Sequence, residues 1–251
     1  MPAVTPGDLL PAGDAASMTS EDLNERLAEA ARHAVLNRLT PVLRHSVAGS
    51  MQPVRMMLTM LERRAQATDP DLEALAKLAA SIRTLAKQAS SDCMSALGWI
   101  TSSENIQVSL FSSVDEAVKM LAMELAVNEL ELVNGVVDES ASAPRDFVRS
   151  VFIAAVLAFC DHHAAGGSLQ VTFEAAAADS QQPGQLRLRL LPGGTGKPPA
   201  FRDAVRECRL IGWPDVRALA QSCGVRMARG DGWLTLDLPN PLRTPEADLS
   251  A

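Results

Sequence analysis

Apolar positions in the first hundred residues recur at helical spacing. Leu23, Leu27, Ala31, Val35 and Leu39 lead into Val42, Leu43, Val47, Met51, Val54, Met57, Leu58 and Leu61. At about 100° per residue these form a stripe along one face of a helix. Thr19 or Ser20 offers an N-cap, and Glu21 and Asp22 suit the positive end of the helix dipole. The spacing predicts a helix from there to about Gln66, kinked at Pro41 and Pro53, which lack the N–H an interior helical position needs. Ala67 to Asp71 reads as a turn with its own capping residues. Leu72, Leu75, Leu78, Ile82 and Leu85 then open a second helix that continues through Met94 and Leu97. Two antiparallel helices cannot bury stripes this wide by themselves. Pairing two hairpins into a four-helix bundle would bury them, so a homodimer is expected.

After Trp99 the rhythm changes. Ile106 to Phe111 alternates as a strand, Val114 to Ala126 reads as an amphipathic helix, and Glu129 to Val136 is a second strand. Asp146 to His163 is so apolar that the helix it predicts must be largely buried. Gly166-Gly167 ends it. Leu169 to Phe173 and Leu186 to Leu190 alternate as strands on either side of a polar loop, Asp179 to Gly184. A helix from about Pro214 to Ser222 and two strands, Val225 to Met227 and Trp233 to Leu238, complete the pattern. The order β-α-β-α-β-β-α-β-β predicts an α+β chain: a helical hairpin followed by an α/β sandwich with helices on one face of a mixed sheet. The expected divisions are a loose leader at 1–18, the hairpin at 19–101, the sandwich at 104–240 and a polar tail at 241–251.

Composition narrows the classes. Apolar residues make up 47% of the chain but aromatics only 4%, with no Tyr, so Leu, Val, Ala and Met must build the core. A net charge of −7 argues against a nucleic-acid partner, which usually calls for a basic stripe. No run of 18 apolar residues suggests a membrane span, and the first residues lack a basic segment followed by an apolar one, so a cytoplasmic protein is expected. Cys93, Cys160, Cys208 and Cys223 have no paired spacing and read as reduced thiols.

The candidate chemistry centres on His45, in Leu43-Arg-His-Ser-Val-Ala-Gly-Ser-Met51. At helical spacing it points roughly 160° from the middle of the apolar stripe, into solvent. Ala48, Gly49 and Ser50 are small and leave room for another protein to approach. Imidazoles titrate near neutral pH and can accept a phosphoryl group on a ring nitrogen; the plainer alternative is a surface histidine on a dimerising helix. Arg38 and Gln52, seven residues to either side, fall on the same face and are candidate contacts for a partner, as are Arg44 and Arg55 beside them. His33 is a rival: Asn37 and Pro41 follow it, but it lies on the flank of the stripe. Cys160, His162 and His163 suggest a metal only superficially, because adjacent helical residues diverge. Gly193 to Lys197 lacks the full spacing of a phosphate loop.

A hairpin with an exposed histidine followed by this α/β order resembles sensor histidine kinases, over roughly residues 20 to 240. Those proteins join a dimerisation and histidine-phosphotransfer hairpin to a Bergerat-type ATP-binding domain. Pro53, eight residues after His45, fits one variant of the kinase H-box, although Ser46 stands where that box has an acid and Ala48 and Gly49 replace asparagines. His45 to Ser50 also resembles a segment of monomeric histidine phosphotransfer domains. The resemblance places a metal-binding asparagine in Val151 to His163, which contains none, and an adenine-binding acid in Pro192 to Gly196, which keeps only the glycines. Between Gly196 and the helix near Pro214 the chain is too short for the usual lid. A kinase-like fold with an eroded nucleotide site is similar to the ChpT-type histidine phosphotransferases, whose buried helix runs into a stretch like Ala154 to Gly167. That resemblance implies a phosphotransferase without a cofactor of its own. It would form a homodimer and carry phosphate between response-regulator receiver domains, with Mg²⁺ supplied only by the receiver. The alternative is a catalytically silent pseudokinase scaffold that binds a response regulator or transcription regulator.

Overall fold

The computed structural model describes residues 19–100, 106–163, 166–175, 184–193 and 208–238. The expected leader and tail, most of the polar loop and the segment Gly194 to Lys197 lie outside the described residues. Two long helices come first: α1 (Ser20–Ala65) and α2 (Leu72–Ile100), packed against each other. The start of α1 is closed by a reciprocal pair, in which Thr19 Oγ1 accepts the Asp22 N–H at 3.1 Å and Asp22 accepts the Thr19 N–H at 3.0 Å. These satisfy donors that a helix end otherwise leaves to water. Pro41 and Pro53 fall inside α1, which continues through both. Asp71 Oδ1 accepts the Ala74 N–H at 3.0 Å and starts α2.

The remainder runs β1 (Gln107–Ser109), α3 (Leu110–Met120), α4 (Ala122–Val127), β2 (Leu130–Asn134), β3 (Ser142–Pro144), a π-helical turn at Phe147–Phe152 that leads into α5 (Ile153–His162), β4 (Gly167–Glu174), β5 (Gln185–Pro192), α6 (Trp213–Ser222), β6 (Arg226–Gly230) and β7 (Trp233–Asp237). Three details differ from the sequence reading. The strand expected at Ile106 to Phe111 is cut short because Ser109 Oγ caps α3 at Ser112 N–H. The single helix expected at Val114 to Ala126 is broken at Leu121. The third is β3, which the sequence reading lacked; it pairs antiparallel with β1 in a two-stranded ribbon. Three residues are too few to show a period.

The larger sheet has the order β2-β4-β5-β7-β6, with β2 and β4 parallel and the other neighbours antiparallel. Its register aligns Val171, Leu188 and Leu234 across three strands, all fully buried. On the opposite face Thr172 and Thr235 are half-buried and Arg187 is exposed, so among the described residues the core lies on one side, as in an alternating half-buried sheet. The covering layer includes α5, buried from Ile153 to Cys160, and α6. Gly167 admits the close passage of β5: a Cβ there would come within 2.6 Å of the Leu191 carbonyl oxygen, and its φ is +140°.

The architecture is the one expected, a long helical hairpin followed by an α/β layer on a mixed sheet. The hairpin, however, is not a stalk apart from it. Ala28, Ala31, Ala34, Val35, Leu39 and Leu43 of α1 belong to the same continuous core as the sandwich, and α1 packs on α6 as well as on α2. The N-terminal half of α1 therefore has two buried sides.

Candidate functional site

His45 lies near the middle of α1 and is exposed, as are Arg44, Ser46, Ala48, Gly49, Gln52 and Arg55 around it. The helix sets this arrangement. Leu43 and Val54 turn inward, and Val47, on the same side, packs half-buried against the core. That leaves the positions roughly opposite them in water. A Cβ added at Gly49 would meet nothing within 4 Å. Among the described residues the space beside Gly49, one turn after His45, is therefore open.

Arg38 departs from expectation. By helical spacing it lies on the His45 face, but it is not available to a partner. Its side chain is 8% exposed, because the sandwich covers this face two turns before His45. Arg38 Nε and Nη2 donate to the two carboxylate oxygens of Glu124 at 2.8 and 2.6 Å, and Nη1 donates to Asp161 at 3.1 Å. Asp161 Oδ2 also accepts the Ile211 N–H at 2.8 Å. Burial alone would lower the guanidinium's pKa, but the hydrogen bonds and charges of Glu124 and Asp161 outweigh it and raise the pKa above the ordinary arginine value. Glu124 and Asp161 were not singled out from the sequence. The available signal was Asp161, a carboxylate ending the apolar run from Val151 to Cys160, since a charge so placed needs a partner.

His33 is also exposed. Asn37 lies 3.1 Å from its Nδ1, one turn on, so that ring nitrogen is engaged within the helix itself. Next to it, Arg32 Nη2 donates to Ser222 Oγ of α6 at 2.8 Å. His33 therefore sits on the stretch of α1 that is docked against α6.

The end of the sandwich near α6 is filled by the chain's own groups. Asp215 accepts the Gly212 N–H at 2.8 Å and is ion-paired with Arg209, so a carboxylate already occupies the start of α6. Helix starts of this kind attract anions. Trp213 packs edge-on against Phe159, with centroids 5.1 Å apart, and Arg229 lies 5.2 Å over the Trp213 ring. His162 Nε2 donates to the Ile211 carbonyl at 3.0 Å, while His163 stacks on Phe159 at 5.0 Å. The two imidazoles thus serve different neighbours. Among the described residues no three His, Cys, Asp or Glu side chains converge as a metal site would require.

No family model matches the chain, and no curated protein does. Among solved structures it is similar to the Acinetobacter baumannii histidine kinase AdeS, at 16% identity over 74% of this chain and 96% of that one, with a TM-score of 0.40. It is also similar to the histidine kinase ThkA in complex with the response regulator protein TrrA (13% identity, 89% of this chain and 68% of that one, TM-score 0.39). A third is a bacterial phosphotransferase, at 14% identity over 82% of this chain and 95% of that one, with a TM-score of 0.34. No helix among the described residues is long and apolar enough to cross a membrane.

Proposed function

We propose that this protein is a histidine phosphotransfer protein of a two-component phosphorelay. His45 takes a phosphoryl group from the aspartate of one receiver domain and yields it to another. The observation that carries the reading is the exposed imidazole of His45 mid-helix, with Ala48 and Gly49 beside it and, among the described residues, no side chain within 4 Å of the Gly49 position. In the transfer step the Nε2 lone pair attacks phosphorus in line with the aspartyl oxygen. The P–O bond breaks, the carboxylate leaves with its electrons, and Nδ1 keeps its proton. Positioning and charge neutralisation supply most of the catalysis in such a transfer. The receiver contributes the acid and its divalent ion, so this chain supplies a nucleophile and a docking surface. Gln52, Arg44 and Arg55, exposed around the ring, are the docking contacts on this reading, with Ala48 and Gly49 as the close-approach surface.

Transfer proceeds without ATP. Two features support this: α5 carries no asparagine, and Asp215 with Arg209 occupies the start of α6, where a phosphate would compete with a covalently tethered carboxylate. The protein acts as a homodimer in the cytoplasm. Met51 and Leu58 of α1 and Leu72 of α2 are 41%, 41% and 76% exposed, apolar surface that a second hairpin in a four-helix bundle would cover.

The test is incubation with a receiver phosphorylated on its aspartate, in parallel for the wild type, His45→Ala and His33→Ala. Acid-labile label on the wild type and on His33→Ala, but not on His45→Ala, is the expected result. Label that disappears only in His33→Ala moves the reaction to the rival histidine. Receiver binding with label on neither histidine makes the chain a scaffold.

A further inference from the structure

Arg38 bridges three helices that come from distant parts of the chain. It sits on α1 of the hairpin, Glu124 on α4, and Asp161 at the end of α5, with side chains 8%, 16% and 4% exposed. The contact with Glu124 uses both carboxylate oxygens, and Asp161 is itself tied to the Ile211 backbone. A planar fork meeting a carboxylate at two points constrains rotation as well as distance, which an apolar patch does not. The second helix of the hairpin has its own attachment. Trp99 of α2 donates its indole N–H to Glu116 of α3 at 3.1 Å, and Arg149 lies 4.9 Å over the Trp99 ring. Arg149 also donates to the Gly98 carbonyl. Anchors on both helices oppose swinging of the sandwich about either one.

We propose that Arg38 is the lock of this joint: its buried guanidinium holds hairpin and sandwich as one rigid body, with the sandwich seated two turns short of His45. A sandwich that swung toward His45 would have to withdraw Arg38 from Glu124 and Asp161 and break the hydrogen bonds of its fork to both. The lock keeps the imidazole clear for a separate protein. It holds whether or not His45 carries phosphate, because it concerns only the joint.

Removing Arg38 alone would take the guanidinium from two largely buried carboxylates and damage folding for an unrelated reason. The test therefore uses the full chain with two designs. Arg38→Lys keeps the charge and loses the fork. The triple variant Arg38→Met, Glu124→Leu, Asp161→Asn removes the charges and keeps volume and an acceptor for Ile211. Amide hydrogen exchange is followed in α1, α2 and α4. The expected result in both variants is exchange at least ten-fold faster in residues 32–43 and 122–127, with residues 75–90 of α2 unchanged. Wild-type rates in Arg38→Lys would overturn the lock, as would acceleration spread evenly over the whole chain, which would make Arg38 a general stability residue. Should the triple variant fail to fold, Arg38→Lys alone decides between these outcomes.

Discussion

Trp99 is held between two charged groups of opposite sign: Glu116, which accepts its indole N–H at 3.1 Å, and Arg149, 4.9 Å over its ring. It is 6% exposed and ends the hairpin inside the sandwich's own core. Trp99→Ala is expected to cost about 3–5 kcal/mol through the lost area and the cavity left behind. Trp99→Phe should cost less, mainly by leaving Glu116 without its donor. Urea unfolding of both variants measures the difference. A Trp99→Ala cost under about 1 kcal/mol, well below that range, would mean that this end of the hairpin is not anchored.

Gly49 separates fold from function. Glycine in a helix interior is about 0.5–1 kcal/mol worse than alanine, and here a Cβ would meet nothing. Gly49→Ala should therefore raise stability by about that amount. Gly49→Phe should leave the circular dichroism spectrum unchanged and cut phosphoryl acceptance from a receiver by at least ten-fold, because the space beside His45 is then filled. Full transfer by Gly49→Phe would show that partners approach from another side.

His163 sets a pH dependence. Burial against Phe159 pushes its pKa below the ordinary histidine value, Asp231 works to raise it, and His162 adds to the lowering. The unfolded chain then binds a proton here at a pH where the folded chain does not. This part of the stability is present above the unfolded value of 6.5 and is lost as pH falls toward and through the lower folded value. Denaturation midpoints measured from pH 7.5 down to 5 should fall, and His163→Gln should flatten that slope. An equal slope in the variant would assign the pH dependence elsewhere.

Glu129 occupies left-handed backbone, with φ at +51°, between α4 and β2. For a side-chain-bearing residue this costs about 1–2 kcal/mol, part of which glycine would lose again as chain entropy. Glu129→Gly is expected to raise the melting temperature by about 1–3 °C, the shift of a few tenths to 1 kcal/mol in a chain of this size. A drop on scanning calorimetry would mean that the Glu129 side chain contributes more than its backbone costs.

The helical face of His45 was legible in the residues because helical period and side-chain direction are local properties. So were both helices of the hairpin, the alternating strands at Leu169 to Phe173 and Leu186 to Leu190, and the buried character of the helix ending at His162. The three-residue β3 and the break at Leu121 were not legible: the one is too short for any period, the other interrupts an amphipathic pattern that runs on across it. What only the tertiary structure decided is which side of α1 meets solvent at each level. Arg38 and His45 share a face by spacing. The sandwich covers the first and leaves the second bare, because where a separate layer docks depends on the packing of α1 against α6, with Arg32 bonded to Ser222, and on carboxylates 86 and 123 residues away. A period along one helix contains no record of those distant partners, so a guanidinium that reads as a contact for another protein becomes a bond to its own chain.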